Sequence, residues 1–206
     1  MAGGGAPTQP DRRATGGPSL VLASASQRRL DLLRQAGIEP DVVAPAELDE
    51  SALRGELPRD HARRLAEEKA RHVHAQHPEA YVLGADTVVA LGRRILPKPV
   101  DAAKARNCLE RLSGRRHRVF GGVTLLAPDG RSAHRLVTTV VRFKRLSSAE
   151  IEDYLASEEW RGKAGGDAIQ GRAGAFIPTI NGSYTNVVGL PLAETLGLLR
   201  GLGYRP

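Results

Sequence analysis

The chain has 206 residues, 41% hydrophobic and 4% aromatic, which suits one folded domain with a substantial core and excludes a largely disordered protein. Thirty Lys and Arg against 23 Asp and Glu give a formal charge of +7, which favours anionic ligands without choosing among nucleotide, nucleic acid and membrane surface. No apolar run approaches the roughly 20 residues needed to span a bilayer, and the few scattered aromatics offer no stacking platform, so nucleic-acid binding is disfavoured.

Residues 1–18, rich in Gly, Pro, Ala and Thr, read as a flexible tail without the hydrophobic segment of a secretory signal. Residues 19–206 then alternate strand and helix. Leu20-Val21-Leu22-Ala23 is a short apolar run of the kind buried on both faces of a sheet. Ser24 and Gln27 have capping-box spacing before a helix carrying Leu30, Leu33 and Ala36, with Gly37 as its stop. A strand from Asp41 to Ala44 leads into the acidic loop Glu47-Leu48-Asp49-Glu50. Ala62, Leu65, Ala66, Ala70 and Val73 then predict a helix over 59–74.

Tyr81 to Ala85 reads as another buried strand, ending at Asp86-Thr87. A helix covers 102–112 and stops at Ser113-Gly114. Its Cys108, the single cysteine, reads as a buried thiol and fits a reducing cytoplasm. A hairpin follows, 119–126 and 134–143 around Pro128-Asp129-Gly130. Ser147-Ser148-Ala149-Glu150 caps a helix with Ile151 and Leu155. Phe176 to Ile180 and Tyr184 to Val188 flank Asn181-Gly182, which signals a second hairpin, and a helix over 193–199 comes last. The pattern predicts one α/β domain, without repeats or interior linkers.

Ligands of open α/β sheets gather beyond the carboxyl ends of strands. The cluster Ser24 to Arg29 combines hydroxyls, a helix start and the paired Arg28 and Arg29, so it reads either as a phosphate site or as a capped helix with two exposed arginines. Asp86, beside Thr87, could hold a divalent cation or take a proton from water, or could simply close a turn. Asp49 and Glu50 could add oxygen ligands, since Mg²⁺ prefers oxygen donors. Lys69, on an apolar stretch of its helix, and Lys98, between Pro97 and Pro99, could neutralise phosphate charge. Gln170, in a glycine-rich stretch, could read a base edge or lie in a plain loop. The P-loop, the dinucleotide-binding glycine pattern, H-E-x-x-H and zinc-binding cysteine spacings are all missing.

Seven stretches together resemble the Maf family of nucleotide pyrophosphatases. They are LASASQRRLDLL (22–33), LAEEKA (65–70), LGADTVV (83–89), LPKPVD (96–101), LSGRRHRVFGGV (112–123), RGKAGGDAIQG (161–171) and NGSYTNVVGLPL (181–192). The resemblance implies a mixed twisted sheet flanked by helices, in a single domain of two lobes with the active site in the cleft between them. It implies hydrolysis of a nucleoside triphosphate to monophosphate and pyrophosphate with Mg²⁺ or Mn²⁺. By similarity Asp86 activates water, Lys69 and Lys98 contact phosphate, and Asp86, Asp49 and Glu50 bind metal. Arg28, Thr87 and Gln170 map to the residues that set substrate choice, and GADT with AIQG points to the dTTP/UTP branch. A 7-methyl-GTP or broader specificity, and a non-enzymatic nucleotide or nucleic-acid binder linked to cell division, are the alternatives. A homodimer fits the family, though no segment marks an interface. Two positions depart from the pattern. Gln27 stands where proline is usual, and Asp167 stands where an aromatic residue is usual, as an extra carboxylate that would repel polyphosphate or bind metal.

Overall fold

In the structure, a computed structural model, residues 19–205 are described; the tail expected over 1–18 lies outside them. β1 (Leu20–Ala23) is buried at all four positions, because it lies between two strands parallel to it, β2 (Val42–Val43) and β3 (Tyr81–Leu91). β3 continues beyond its parallel stretch and pairs antiparallel with β5 (Arg116–Leu126). β5 pairs antiparallel with β6 (Ser132–Arg142), and β6 with β7 (Thr179–Asn181). β4 (Arg94–Leu96) folds back on the end of β3. The result is one seven-stranded mixed sheet, ordered β2-β1-β3-β5-β6-β7 with β4 on β3, flanked by helices as expected.

One detail of this sheet decides where the site lies. The ladder of β1 on β3 ends at the Ala23–Gly84 pair, and that of β4 begins at the Leu96–Val89 pair. From Ala85 to Val88 this edge of β3 has no strand beside it, and Asp86 and Thr87 fall in the gap. The expectation that the strand ends at Asp86 is therefore corrected. β5 carries an unbroken ladder across the other edge, with Asp86 opposite Gly122, and so holds β3 straight through to Leu91. Successive side chains of a strand point to opposite faces, so Asp86 and Thr87 look out on the two sides of the sheet.

Helix α2 (Pro58–His74) covers one of those sides, burying Ala62, Leu65, Ala66, Ala70 and Val73. It lies unusually close to the sheet. A Cβ on Gly84 would stand 2.4 Å from the Ala66 carbonyl oxygen, and one on Gly122 only 2.2 Å from that of Ala62. On the other side two apolar clusters divide the fold into lobes. The first joins β1 and the start of β3 to α1 (Gln27–Gln35) and α6 (Leu192–Gly201), with Leu33, Leu83, Leu125 and Leu199 at its centre. The second joins the far halves of β3, β5 and β6 to α3 (Ala102–Leu112) and α4 (Ser148–Ala156), around Leu109, Phe143, Tyr154 and Trp160. The capping box expected at Ser147 and Glu150 is formed.

The hairpin expected about Asn181-Gly182 is not formed. Residues 172–176 make a 3-10 turn, Thr179–Asn181 pairs with β6, and Tyr184–Val188 is a short helix, α5. The Ser183 hydroxyl accepts from the Asn186 amide at 3.2 Å, which starts a helix where a returning strand was expected. Asn186 then turns inward, and its side-chain nitrogen donates to the Val119 carbonyl and the Thr139 hydroxyl. No described helix is long and apolar enough to cross a membrane.

Candidate active site

A cleft of ≈ 570 Å³ opens at the gap in the sheet, lined by both lobes. On the α2 side Lys69 reaches across to Asp86. Its Nζ lies 2.7 Å from Asp86 Oδ1 and 2.5 Å from Glu50 Oε1. Glu50 Oε2 in turn is 3.2 Å from Lys98 Nζ. Lys69 and Asp86 are buried, whereas Glu50 and Lys98 are exposed. Partial burial pushes the Glu50 carboxyl up, but the bond and charge of Lys69, with the charge of Lys98, outweigh it and hold it below its ordinary value. The array alternates cation and anion at the place where β3 lacks a neighbour.

On the other side Arg29 is buried and fully engaged. Its Nη1 donates to Ser24 Oγ at 2.9 Å, Nη2 to Thr87 Oγ1 at 3.1 Å, and Nε to the Gly189 carbonyl at 2.9 Å. One guanidinium thus ties together the end of β1, the gap in β3 and the segment after α5. Burial lowers its pKa, opposed by the charge of Asp86. Ser24 therefore serves Arg29, with its hydroxyl also accepting from the Ser26 amide, and the expected capping box with Gln27 does not form. Ser26 takes the cap position of α1, and no side chain caps it. The start of α1 lines the cleft, and a helix start without a side-chain cap is of the kind that suits an anion. Arg28 stands beside them, half-buried, its Nε donating to the Val188 carbonyl at 3.2 Å. Burial lowers the pKa of Lys163, and the nearby Arg28 charge lowers it further.

The glycine-rich segment forms the third wall. Gly165, at φ +69°, donates its amide to the Pro97 carbonyl at 3.1 Å, next to Lys98. Ala168, Ile169 and Gln170 line the cleft, with Gln170 exposed. Asp167 also lines the cleft. Its side chain is 3% exposed and turned towards β5, where Oδ2 lies 3.4 Å from His117 Nε2.

The cleft therefore gathers Ser24, Arg28, Arg29, Glu50, Lys69, Asp86, Thr87, Lys98 and Gln170. Asp49 is not among its lining residues; its carboxylate accepts from the Ser51 amide at 2.9 Å in an exposed turn. Among the described residues no group of three or more His, Cys, Asp or Glu could hold a metal ion. Asp86 and Glu50 nevertheless converge on one cationic nitrogen. That is a donor set of hard oxygens suited to a Mg²⁺-type ion whose remaining ligands are water and phosphate. Sequence reasoning missed Lys163, His117 and the carbonyls of Val188 and Gly189. Lys163 sits in a run that reads only as a loop, His117 looks like any polar residue of a strand, and backbone carbonyls leave no mark in a sequence.

A family model described as Maf-like protein matches residues 19–202. Curated relatives named dTTP/UTP pyrophosphatase are similar over nearly their full length. That of Caulobacter vibrioides is 64% identical over 190 residues, covering 92% of this chain and 98% of its own. That of Paramagnetospirillum magneticum is 65% identical over 187 residues, covering 91% and 98%. That of Rhodospirillum rubrum is 59% identical over 197 residues, covering 96% and 94%.

Proposed function

The chain belongs to the Maf-like protein family, and we propose that its cleft hydrolyses dTTP and UTP to the monophosphate and pyrophosphate. The observation that carries this reading is the Lys69–Asp86 pair at the gap in the sheet, 2.7 Å apart and buried. A carboxylate so held, beside a basic cleft, is equipped to take a proton from water as it attacks the α-phosphorus. The bond between that phosphorus and the oxygen bridging to the β-phosphate breaks, and pyrophosphate departs with the electron pair. Lys69 and Lys98 neutralise the charge gathering on the phosphates, and the uncapped start of α1 with Arg28 receives the remaining oxygens. Arg29 holds Ser24, Thr87 and Gly189 in register, which fixes the end of β1, the gap in β3 and the segment after α5 against one another.

Asp86 and Glu50 would hold a Mg²⁺ or Mn²⁺ ion, which would shield the phosphate charge and orient the chain of phosphates. Thr87 and Gln170, with Arg28, flank the space left for the nucleoside, where the amide of Gln170 offers both a donor and an acceptor to a pyrimidine edge. The choice of dTTP and UTP rests on the relatives' names and on this amide. The single Cys108, buried and free, is consistent with work in the cytoplasm, where these substrates are kept.

Pyrophosphate release from dTTP, UTP, CTP, GTP and 7-methyl-GTP, with and without Mg²⁺ or Mn²⁺, tests the proposal. Metal-dependent release from dTTP and UTP is the expected result. Release from 7-methyl-GTP instead keeps the chemistry and overturns the specificity; release from none overturns the enzyme.

A further inference from the structure

His117 and Asp167 form a buried ionisable pair that the proposed chemistry does not use. Asp167 Oδ2 and both ring nitrogens of His117 are enclosed without a hydrogen bond, although carboxylate and ring stand 3.4 Å apart. Enclosing such groups without a hydrogen bond is costly, and a buried polar contact of this kind seldom repays that cost in stability against an apolar filling. The value of the contact therefore has to be sought in what it holds. His117 belongs to β5, where it pairs with Val141 of β6 one residue beyond the end of the β3 ladder. Asp167 belongs to the glycine-rich wall of the cleft, three residues before Gln170.

The residues on either side of Asp167 are held as well. The Tyr154 hydroxyl donates to the Gly166 carbonyl at 2.9 Å and accepts from the Ala168 amide at 3.0 Å. Two residues earlier the Gly165 amide is bound to the Pro97 carbonyl, beside Lys98. Gly165 and Gly166 both have positive φ, a conformation that glycine adopts without steric cost and that leaves the segment little rigidity of its own. The other ionisable groups facing the pair are Cys108 from α3 and Tyr154 from α4. Burial raises the thiol, and the Asp167 charge adds to the rise. Burial likewise pushes the phenol up to about 12, again with a contribution from Asp167. Both neighbours therefore remain neutral, and His117 is the ring that lies against the carboxylate.

We infer that Asp167 and His117 are positioning residues whose contact fixes the glycine-rich wall, and with it Gln170, against β5 for binding of the nucleotide. The inference deepens the pyrophosphatase reading and rests on it for its kinetic consequence. Its structural half, the anchoring of the wall, is independent of any activity.

Asp167→Ala and His117→Ala are compared with the double variant and with Asp167→Asn, which keeps an oxygen facing the ring. Amide hydrogen exchange is measured without nucleotide, and KM and kcat with dTTP. The expected result is faster exchange confined to residues 163–170 in both alanine variants. KM should rise on the order of tenfold, with kcat nearly unchanged. The double variant should be no worse than either single one, and Asp167→Asn should recover most of the loss. Unchanged KM and unchanged exchange in both alanine variants overturn the inference, as does faster exchange spread over the whole molecule. If the parent protein hydrolyses no nucleotide, the pyrophosphatase reading fails, while local loosening of the wall still upholds the anchor.

Discussion

Asp86 and Lys69 look interchangeable as two halves of one ion pair, but their surroundings make their removal unequal. In Asp86→Asn the lysine keeps Glu50 at 2.5 Å, and the amide keeps the shape of the carboxylate. We expect turnover to fall about 10³-fold, the usual worth of a general base, with the thermal midpoint close to that of the parent. In Lys69→Met two carboxylates lose their shared cation, and one of them is buried. Breaking a buried pair from one side costs about 3 kcal/mol or more, so this variant should lose both activity and several degrees of melting temperature. Calorimetry beside a pyrophosphate assay separates the two patterns. Equal melting losses in both variants would contradict the part given to Glu50.

Among the elements, α2 carries Lys69 and is held against the sheet by two positions without side chains. Gly122→Ala places a methyl 2.2 Å from the Ala62 carbonyl, backbone that yields only if the helix moves. Overpacking of this kind costs about 1–3 kcal/mol, and a shifted α2 withdraws Lys69 from Asp86. Urea unfolding and activity should therefore fall together. The start of the same helix is clamped by Glu56, which accepts from Arg64, His61 and the Leu53 amide. Arg64 above all depresses the Glu56 carboxyl from 4.5 to about 2. A depressed carboxyl gives stability that is complete above its unfolded value and lost as pH falls towards its folded one. The urea midpoint should thus decline between pH 4.5 and about 2, and this part of the decline should vanish in Glu56→Gln. Helices with a clean apolar face, α2 and α3, were legible in the sequence, because burial of one stripe leaves a period in the residues. The passage of β3 through Asp86-Thr87 was not, because only the ladder with β5, distant in sequence, overrides that polar break. The Asn181-Gly182 signal misled for a related reason, since Ser183 can cap a helix as readily as a turn can return a strand. In the site, the resemblance singled out Asp86, Lys69, Lys98 and Gln170, which the fold does bring to one cleft. It could not tell that the adjacent Asp49 and Glu50 point to different places, or that the Asp167 carboxylate lies against His117.

For the molecule as a whole, the formal charge of +7 and a cleft lined by Arg28, Lys98 and Lys163 create a field that draws in polyphosphate. Raising the ionic strength to about 0.15 M shortens the reach of that field to about 8 Å. We expect kcat/KM for dTTP to fall with added salt while kcat holds, as steady-state kinetics at constant metal would reveal. The bonds from Arg28 to Val188 and from Arg29 to Gly189 each join residues 160 apart in sequence. Synthesis proceeds at roughly 5–20 residues per second, so for several seconds the first of these arginines exists before its partner does. A nascent chain therefore lacks the two carbonyls that orient its paired arginines until position 189 has cleared the ribosome. The last stretch of the chain to be made thus sets the side chains of one of the first.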